Sequence, residues 1–257
     1  MSEDLNWDAT WNVLKSQQGR RCTSLKKSKA LIFRIKCLNK LLPTRDICYL
    51  RRPKLYQGDT CIACFTAKET FSHLAECIIY QRIWLHTEAA VIEELGLKLV
   101  EKWNISIPNS RLKEAFLGRV LETQIKRRKL HIRGLTNKSQ FKEVRDLVSS
   151  NSKANWMIFC FIDIFWTNFF EKLWKFRCEV MSDWEKEKGI NLRKKKARKK
   201  GKHRANPSNK ENNSATVRVN KESVSMKGER ILKEANIKIR SWIEGGKKEG
   251  WIKFKNK

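Results

Sequence analysis

Four residues within 17 positions constrain this chain more than any other feature. They are Cys61, Cys64, His73 and Cys77, spaced Cys-x2-Cys-x8-His-x3-Cys. A Cys-x2-Cys turn closes a tight knuckle whose two sulfurs can reach one ion. His73 and Cys77 stand four apart, so on a helix they share one face. Three thiolates and one imidazole are the donors that zinc takes in a tetrahedron. Four protein ligands leave no open position, so the expected Zn2+ is structural and not hydrolytic. The other five cysteines, Cys22, Cys37, Cys48, Cys160 and Cys178, lie in apolar helical settings and are expected to be small core residues. The start, Met1-Ser2-Glu3-Asp4-Leu5-Asn6-Trp7, has no basic stretch followed by an apolar run. A secretion signal is therefore not expected, and cysteines in a reducing compartment favour metal over disulfides.

The pattern around this cluster is helical. With 4 Pro and 11 Gly in 257 residues, an all-β fold with many tight turns is disfavoured. Ten Trp and 12 Phe are enough aromatic mass to oppose wholesale disorder. Leu31, Ile35, Leu38, Leu41 and Leu42 recur at three- and four-residue spacing and predict an amphipathic helix ending at Pro43. Thr44 is placed to cap a short helix through Leu50, and Gln57 to Cys61 reads as a loop. A third helix is predicted from near Glu69 past Trp84. A fourth starts near Ser110, with Leu112, Ala115, Phe116 and Leu117 apolar. A long fifth spans about Asn155 to Lys188, and another is predicted over Met226 to Trp242. The stretch Trp156 to Phe170 is apolar for 15 residues but interrupted by Asp163, Thr167 and Asn168. Spanning a bilayer takes about 20 apolar residues, so this reads as a core helix. Trp156, Phe159, Trp166 and Trp174 share its helical spacing and are expected in the core, not as a base-stacking row. His86 and His131 fall outside the ligand spacing and are expected at the surface.

The expected class is mainly α. Residues 1–105 form a small zinc-stapled helical domain, 106–190 a helical region, 191–228 a basic disordered linker and 229–257 a short amphipathic helix and tail.

Several of these residues resemble one family. Ile35-Lys36-Cys37-Leu38-Asn39-Lys40-Leu41-Leu42-Pro43-Thr44-Arg45-Asp46 leads into the knuckle. Glu69-Thr70-Phe71-Ser72-His73-Leu74-Ala75-Glu76-Cys77 and then Ile83-Trp84 follow it. This resembles the zinc-binding domain that follows the polymerase in LINE-type (non-LTR) retrotransposon reverse transcriptases. The likeness covers about residues 5–85, with Trp7, Thr10 and Trp11 suiting the region just upstream. The helix bearing Trp174, Arg177, Cys178 and Trp184 resembles, more loosely, C-terminal regions of related fungal elements. The resemblance implies nucleic-acid handling beside a reverse transcriptase, as a detached piece of a retroelement. It does not import catalysis. Phe161-Ile162-Asp163-Ile164 lacks the second Asp of a polymerase motif. Pro108 is followed by Asn109 where a restriction-like nuclease has Asp, and no Glu-x-Lys triplet occurs.

Charge points the same way. Lys plus Arg number 56 against 27 Asp plus Glu, a formal net charge of +29. Such an excess is not needed for folding and favours a polyanionic partner, RNA or DNA. Residues 15–54 hold 13 basic side chains and one acid, Asp46. Arg20, Arg21, Lys26, Lys27, Lys29, Arg34 and Lys36, with Lys40, are the candidates for a phosphate-facing stripe. Lys126, Arg127, Arg128 and Lys129, with His131 and Arg133, form a second candidate nucleic-acid-binding cluster, expected to be exposed and to contact phosphates. Arg193, Lys194, Lys195, Lys196, Arg198, Lys199 and Lys200 lie in a run with nine basic residues in twelve, which predicts nuclear import. The expected function is therefore zinc-dependent nucleic-acid binding without catalysis. A protein-interaction module with a purely structural zinc, or an accessory fragment of a separately encoded reverse transcriptase, are the alternatives.

Overall fold

We describe residues 4–15 and 25–196 of a computed structural model. Met1–Glu179 belong to one compact unit and Val180–Lys257 to another. The mainly α class expected from the sequence is what the structure shows. Helix follows helix: α1 (Trp7–Lys15), α2 (Leu25–Leu38), α3 (Arg45–Arg51), α4 (Pro53–Tyr56) and α5 (His73–Glu76) come first. A 3-10 turn (Ile78–Tyr80) leads into α6 (Gln81–Trp103), then α7 (Asn109–Leu117), α8 (Leu121–Arg133) and α9 (Lys138–Val148). The long helix is α10 (Asn151–Asn168), a π segment (Phe169–Trp174) and α11 (Lys175–Glu187). Among the described residues the only β pairing is in isolated bridges, Leu5 with Asn137 and Thr60 with Lys68.

Local chemistry explains most boundaries. Lys40 adopts a positive φ of 55°, and Pro43 bars the α conformation just before it, so α2 stops at Leu38. The predicted third helix is instead broken. Cys77 takes ψ 122°, separating α5 from the 3-10 turn and α6. Asn104 ends α6 in the left-handed region, where Asn is tolerated. Asn137 Oδ1 accepts the backbone N–H of Gln140 at 2.8 Å and starts α9. Gly134 closes α8 at φ 73°, and a Cβ there would lie 2.2 Å from the Trp166 ring, so both backbone and space demand glycine.

The core lies where α6 packs along α10, the most extensive helix contact of the unit. Trp84 stacks on Phe165 and on Phe169, each at 5.7 Å between ring centroids. Phe116 stacks on Phe161 at 4.3 Å. Such ring pairs contribute about 0.5–1.5 kcal/mol each beyond area burial. Phe33 of α2 joins from outside, 4.8 Å from Phe170 and 5.9 Å from Phe169. The α6–α10 contact crosses the boundary expected at 105/106, and there is no seam there: both sides belong to Met1–Glu179. Trp156 to Phe170 lies in α10 and the π segment, and no described helix is long and apolar enough to cross a membrane. The stripe expected on α2 is corrected. Ile35 and Leu41 are about half exposed, whereas Cys37 and Leu42 are buried, because the helix meets its neighbours through Phe33 and Cys37.

In the second unit, the basic run begins with a short helix, α12 (Leu192–Lys196), where the sequence predicts a disordered linker from 191. Lys194 Nζ donates to the Gly189 carbonyl at 2.8 Å and Lys195 pairs with Glu185. The rest of the linker expected over 191–228, from residue 197 on, and the helix predicted over 226–242 lie outside the described residues.

The surface position expected for His131 is corrected: the side chain is fully buried among Phe161 and Phe165. Its Nε2 is hydrogen-bonded to the Gln140 side chain, while Nδ1 has no partner. Burial disfavours the imidazolium and holds the pKa down at about 3. An unfolded chain binds a proton there near pH 6.5. The folded state is therefore fully favoured by this group above about pH 6.5 and loses that advantage as pH falls toward 3. We predict that stability drops by about 2 kcal/mol from this group alone between pH 8 and 5. Urea denaturation of His131→Gln at both pH values should show that much less acid sensitivity than the wild type. Equal pH dependence in the two proteins would refute the assignment.

Candidate metal centre and basic surfaces

The cysteine–histidine cluster is assembled from a knuckle and one helical turn. Cys61 N–H donates to the Ala67 carbonyl at 2.8 Å and Phe65 N–H to the Cys61 carbonyl at 2.9 Å. Phe65 takes a positive φ of 56° so that the chain can reverse within this loop. The Thr60–Lys68 bridge and the Lys68–Asp59 ion pair at 2.8 Å close its base. Thr70 Oγ1 accepts the His73 N–H at 3.1 Å and starts α5. Cys77 N–H then donates to the His73 carbonyl at 2.8 Å, fixing the four-residue spacing.

All four side chains expected as ligands come together and are buried. One donor atom from each of Cys61, Cys64, His73 and Cys77 lies within 4.8 Å of the others. Cys64 Sγ and His73 Nε2 are 3.3 Å apart. A tetrahedron with bonds of about 2.3 Å has sulfur–sulfur edges of roughly 3.8 Å, so one ion fits with slight contraction. The cluster can thus hold a metal ion. Hydrogen bonding to Cys77, and then burial, pushes the Cys61 thiol up. Hydrogen bonding to Cys61 raises His73 to about 9. A cation at the centre would replace the protons these groups share. The surroundings suit it. Thr66 Oγ1 donates to Cys64 Sγ at 3.3 Å, the kind of outer contact that orients a thiolate. The buried Tyr80 hydroxyl has no hydrogen-bond partner, and burial holds its pKa well above the usual phenol value.

The loop between Cys64 and His73 carries a residue that spacing alone does not single out. Glu69 is fully buried and accepts two hydrogen bonds from the Arg177 guanidinium, at 2.9 and 2.7 Å. The same carboxylate accepts the Arg45 backbone N–H at 2.9 Å. Arg45 in turn donates to the carbonyls of Tyr56, at 3.1 Å, and Thr60, at 3.4 Å. The start of α3 is thereby pinned to the metal loop. The sequence holds one clue: Arg177 is the only arginine of the long helix. Trp84 gives a second tie, because its Nε1 donates to the Leu74 carbonyl of α5 at 2.9 Å.

The basic candidates divide. Lys29 and Lys36 are exposed on α2. Arg34 is turned inward, paired with Asp163 at 2.7 Å and lying over the Trp166 ring. Lys26 and Lys27 lie on α2, with side chains outside the described set, and Arg20 and Arg21 lie outside the described residues. Of the cluster expected to be exposed at 126–129, Lys126 is exposed and Lys129 half-buried, and the expectation is corrected for the two arginines. Arg127 is buried, donating to the Glu114 and Ala115 carbonyls and to Glu143. Arg128 is fully buried against Glu88 and Gln81. Lys126 pairs with Glu122 and Lys129 with Glu76. A buried guanidinium already satisfied by carboxylates has nothing left for a phosphate. Of the import run, Arg193, Lys194, Lys195 and Lys196 form α12, and Arg198, Lys199 and Lys200 lie outside the described residues. Cys37 and Cys160 are buried as expected, Cys48 is half-buried, Cys178 is exposed, and Cys22 lies outside the described residues.

No protein family, curated protein or solved structure matches this chain.

The Glu69–Arg177 pair generates a prediction. Removing one partner strands a buried charge and costs about 3–5 kcal/mol, whereas an apolar replacement of both is often neutral. Arg177→Met should therefore lower the urea-denaturation free energy by about that amount. The double variant Glu69→Leu, Arg177→Met should recover more than half of the loss. Two losses that simply add would show that the side chains are not energetically coupled.

Proposed function

We propose that this chain is a nucleic-acid-binding module whose fold depends on one structural zinc at Cys61, Cys64, His73 and Cys77. It has no catalysis of its own and resembles the region after the polymerase of a non-LTR retrotransposon. Three thiolates and one imidazole, all buried, favour zinc over harder ions. With four protein ligands the metal holds no water and orients the chain instead.

One observation carries the nucleic-acid reading. Across α2 to α4, Lys29, Lys36, Lys40, Arg51 and Lys54 are exposed and form no ion pair among the described residues. Elsewhere in the first unit the inward-facing arginines find acids. Arg45, which opens α3, is anchored on the metal loop, so the metal would fix where part of this basic segment points. The protein-interaction alternative is supported by a different feature of the same segment: Ile32, Ile35, Leu41 and Leu50 are exposed apolar side chains.

Two measurements test the proposal. Elemental analysis should find one zinc per chain, and Cys77→Ser should lose zinc and helicity together, because ligation supplies folding free energy. A full complement of zinc in that variant rejects the site. Affinity of the full chain for RNA or DNA should fall steeply with salt. Replacing Lys29, Lys36 and Lys40 with Gln should flatten the log–log slope by about 0.9 for each duplex-DNA phosphate that is no longer neutralised. An unchanged slope would favour the protein-interaction reading.

A further inference from the structure

The aromatic row of α10 does not behave as one face. Trp166 and Trp174 are buried, but Trp156 is only half-buried and meets Trp103, the last residue of α6, which is half-buried as well. Their ring centroids are 4.6 Å apart with planes at 61°. Two lysines lie over these rings. Lys102 Nζ is 4.5 Å from the Trp156 centroid and 5.3 Å from that of Trp103. Lys153 Nζ is 5.7 Å from the Trp103 centroid. Neither lysine has an ion-pair partner among the described residues, although Glu101 is adjacent in sequence. Lys153 also sits in the first turn of α10, where the helix dipole already places positive charge. That position repels a cation and attracts an anion.

We propose that Trp103 and Trp156 form a base-stacking site for single-stranded nucleic acid, with Lys102 and Lys153 holding the flanking phosphates. The site rests on the nucleic-acid reading above but on residues outside the α2–α4 segment. Indole rings accept any base face, which makes such a site tolerant of sequence. In a duplex those faces are covered by neighbouring base pairs, so only a single strand can present them. Two ring planes at 61° suit bases that have left a regular stack. On binding, a base displaces the Lys102 ammonium from the Trp156 face, and the ammonium pairs with the phosphate beside it. A phosphate there also relieves the repulsion between Lys153 and the α10 N-terminus.

The test compares the zinc-loaded full chain with Trp156→Ala on a labelled single strand of about 12 nucleotides and on a duplex of the same sequence. The basic residues beyond 196 contribute to both measurements and cancel in the ratio. Trp156→Ala should weaken single-strand binding about tenfold or more, since one stacked base is worth a factor of roughly 5 to 150. Duplex binding should stay within about twofold. Zinc content and far-UV circular dichroism report whether the variant is folded. Should it unfold, Lys102→Gln with Lys153→Gln leaves both rings in place and should lower single-strand affinity selectively. Equal effects on single strand and duplex, or no effect on either, overturn the site. Single-strand binding that persists when Trp156 is removed but fails without Lys29, Lys36 and Lys40 overturns this site while leaving the α2–α4 reading in place. The converse result keeps this site and removes that reading.

Discussion

A carboxylate with no access to water holds the metal loop to the rest of the fold. Glu69 sits between the two halves of the cysteine–histidine cluster and accepts from Arg177, 108 residues away, and from the backbone of Arg45. A buried charge of this kind is tolerable only when its lone pairs are satisfied, so each partner fixes the others. The pair therefore ties the start of α11 to the loop. Trp84 adds a second constraint. One edge of the ring donates to α5, both Phe165 and Phe169 stack on it, and the Arg128 guanidinium lies 5.5 Å from its centroid.

These ties alter what a metal at Cys61, Cys64, His73 and Cys77 would do. A knuckle that folds alone confines its binding energy to a few residues. Here the helix supplying His73 is bonded to the aromatic core, and the loop after Cys64 is bonded to the long helix. Ligation would thus act on residues 45 to 177 together, and the loss of a ligand would be felt well beyond the loop.

How much of this can be read from the sequence follows from the range of the interactions. The cluster is local, within 17 residues, and so is each helix period, which is why the gathering of the four cysteine and histidine side chains and the helical class are legible. The break at Cys77 is not, because one ψ angle interrupts an otherwise good helical pattern. Arg127 and Arg128 fail as surface residues because their acids, Glu143 and Glu88, lie 16 and 40 positions away. His131 is hidden for the same reason, by aromatic residues on another helix. A signal for the arginines exists in the charge balance. Residues 1–190 carry 34 basic and 21 acidic side chains, and residues 15–54 alone hold 13 and one of these. What remains is 21 against 20, nearly neutral, so basic residues there have acids enough to pair with.

The same balance bears on where a polyanion would be held. Each internal ion pair removes one charge of either sign and leaves the excess untouched. The excess must then sit on side chains that fold against no acid, and in the first 190 residues nearly all of it falls between 15 and 54. Lys29, Lys36, Lys40, Arg51 and Lys54 are the described members of that segment that are both exposed and outside any ion pair among the described residues. A field from such a segment acts over about 8–10 Å at physiological salt, so it serves long-range attraction and does not discriminate sequence. Trp103 and Trp156 lie in the near-neutral remainder, where attraction is weaker and contact geometry counts for more. Under the proposed function the two regions divide the work. The basic segment draws in the phosphate backbone, and the indole pair selects strands whose bases are unpaired.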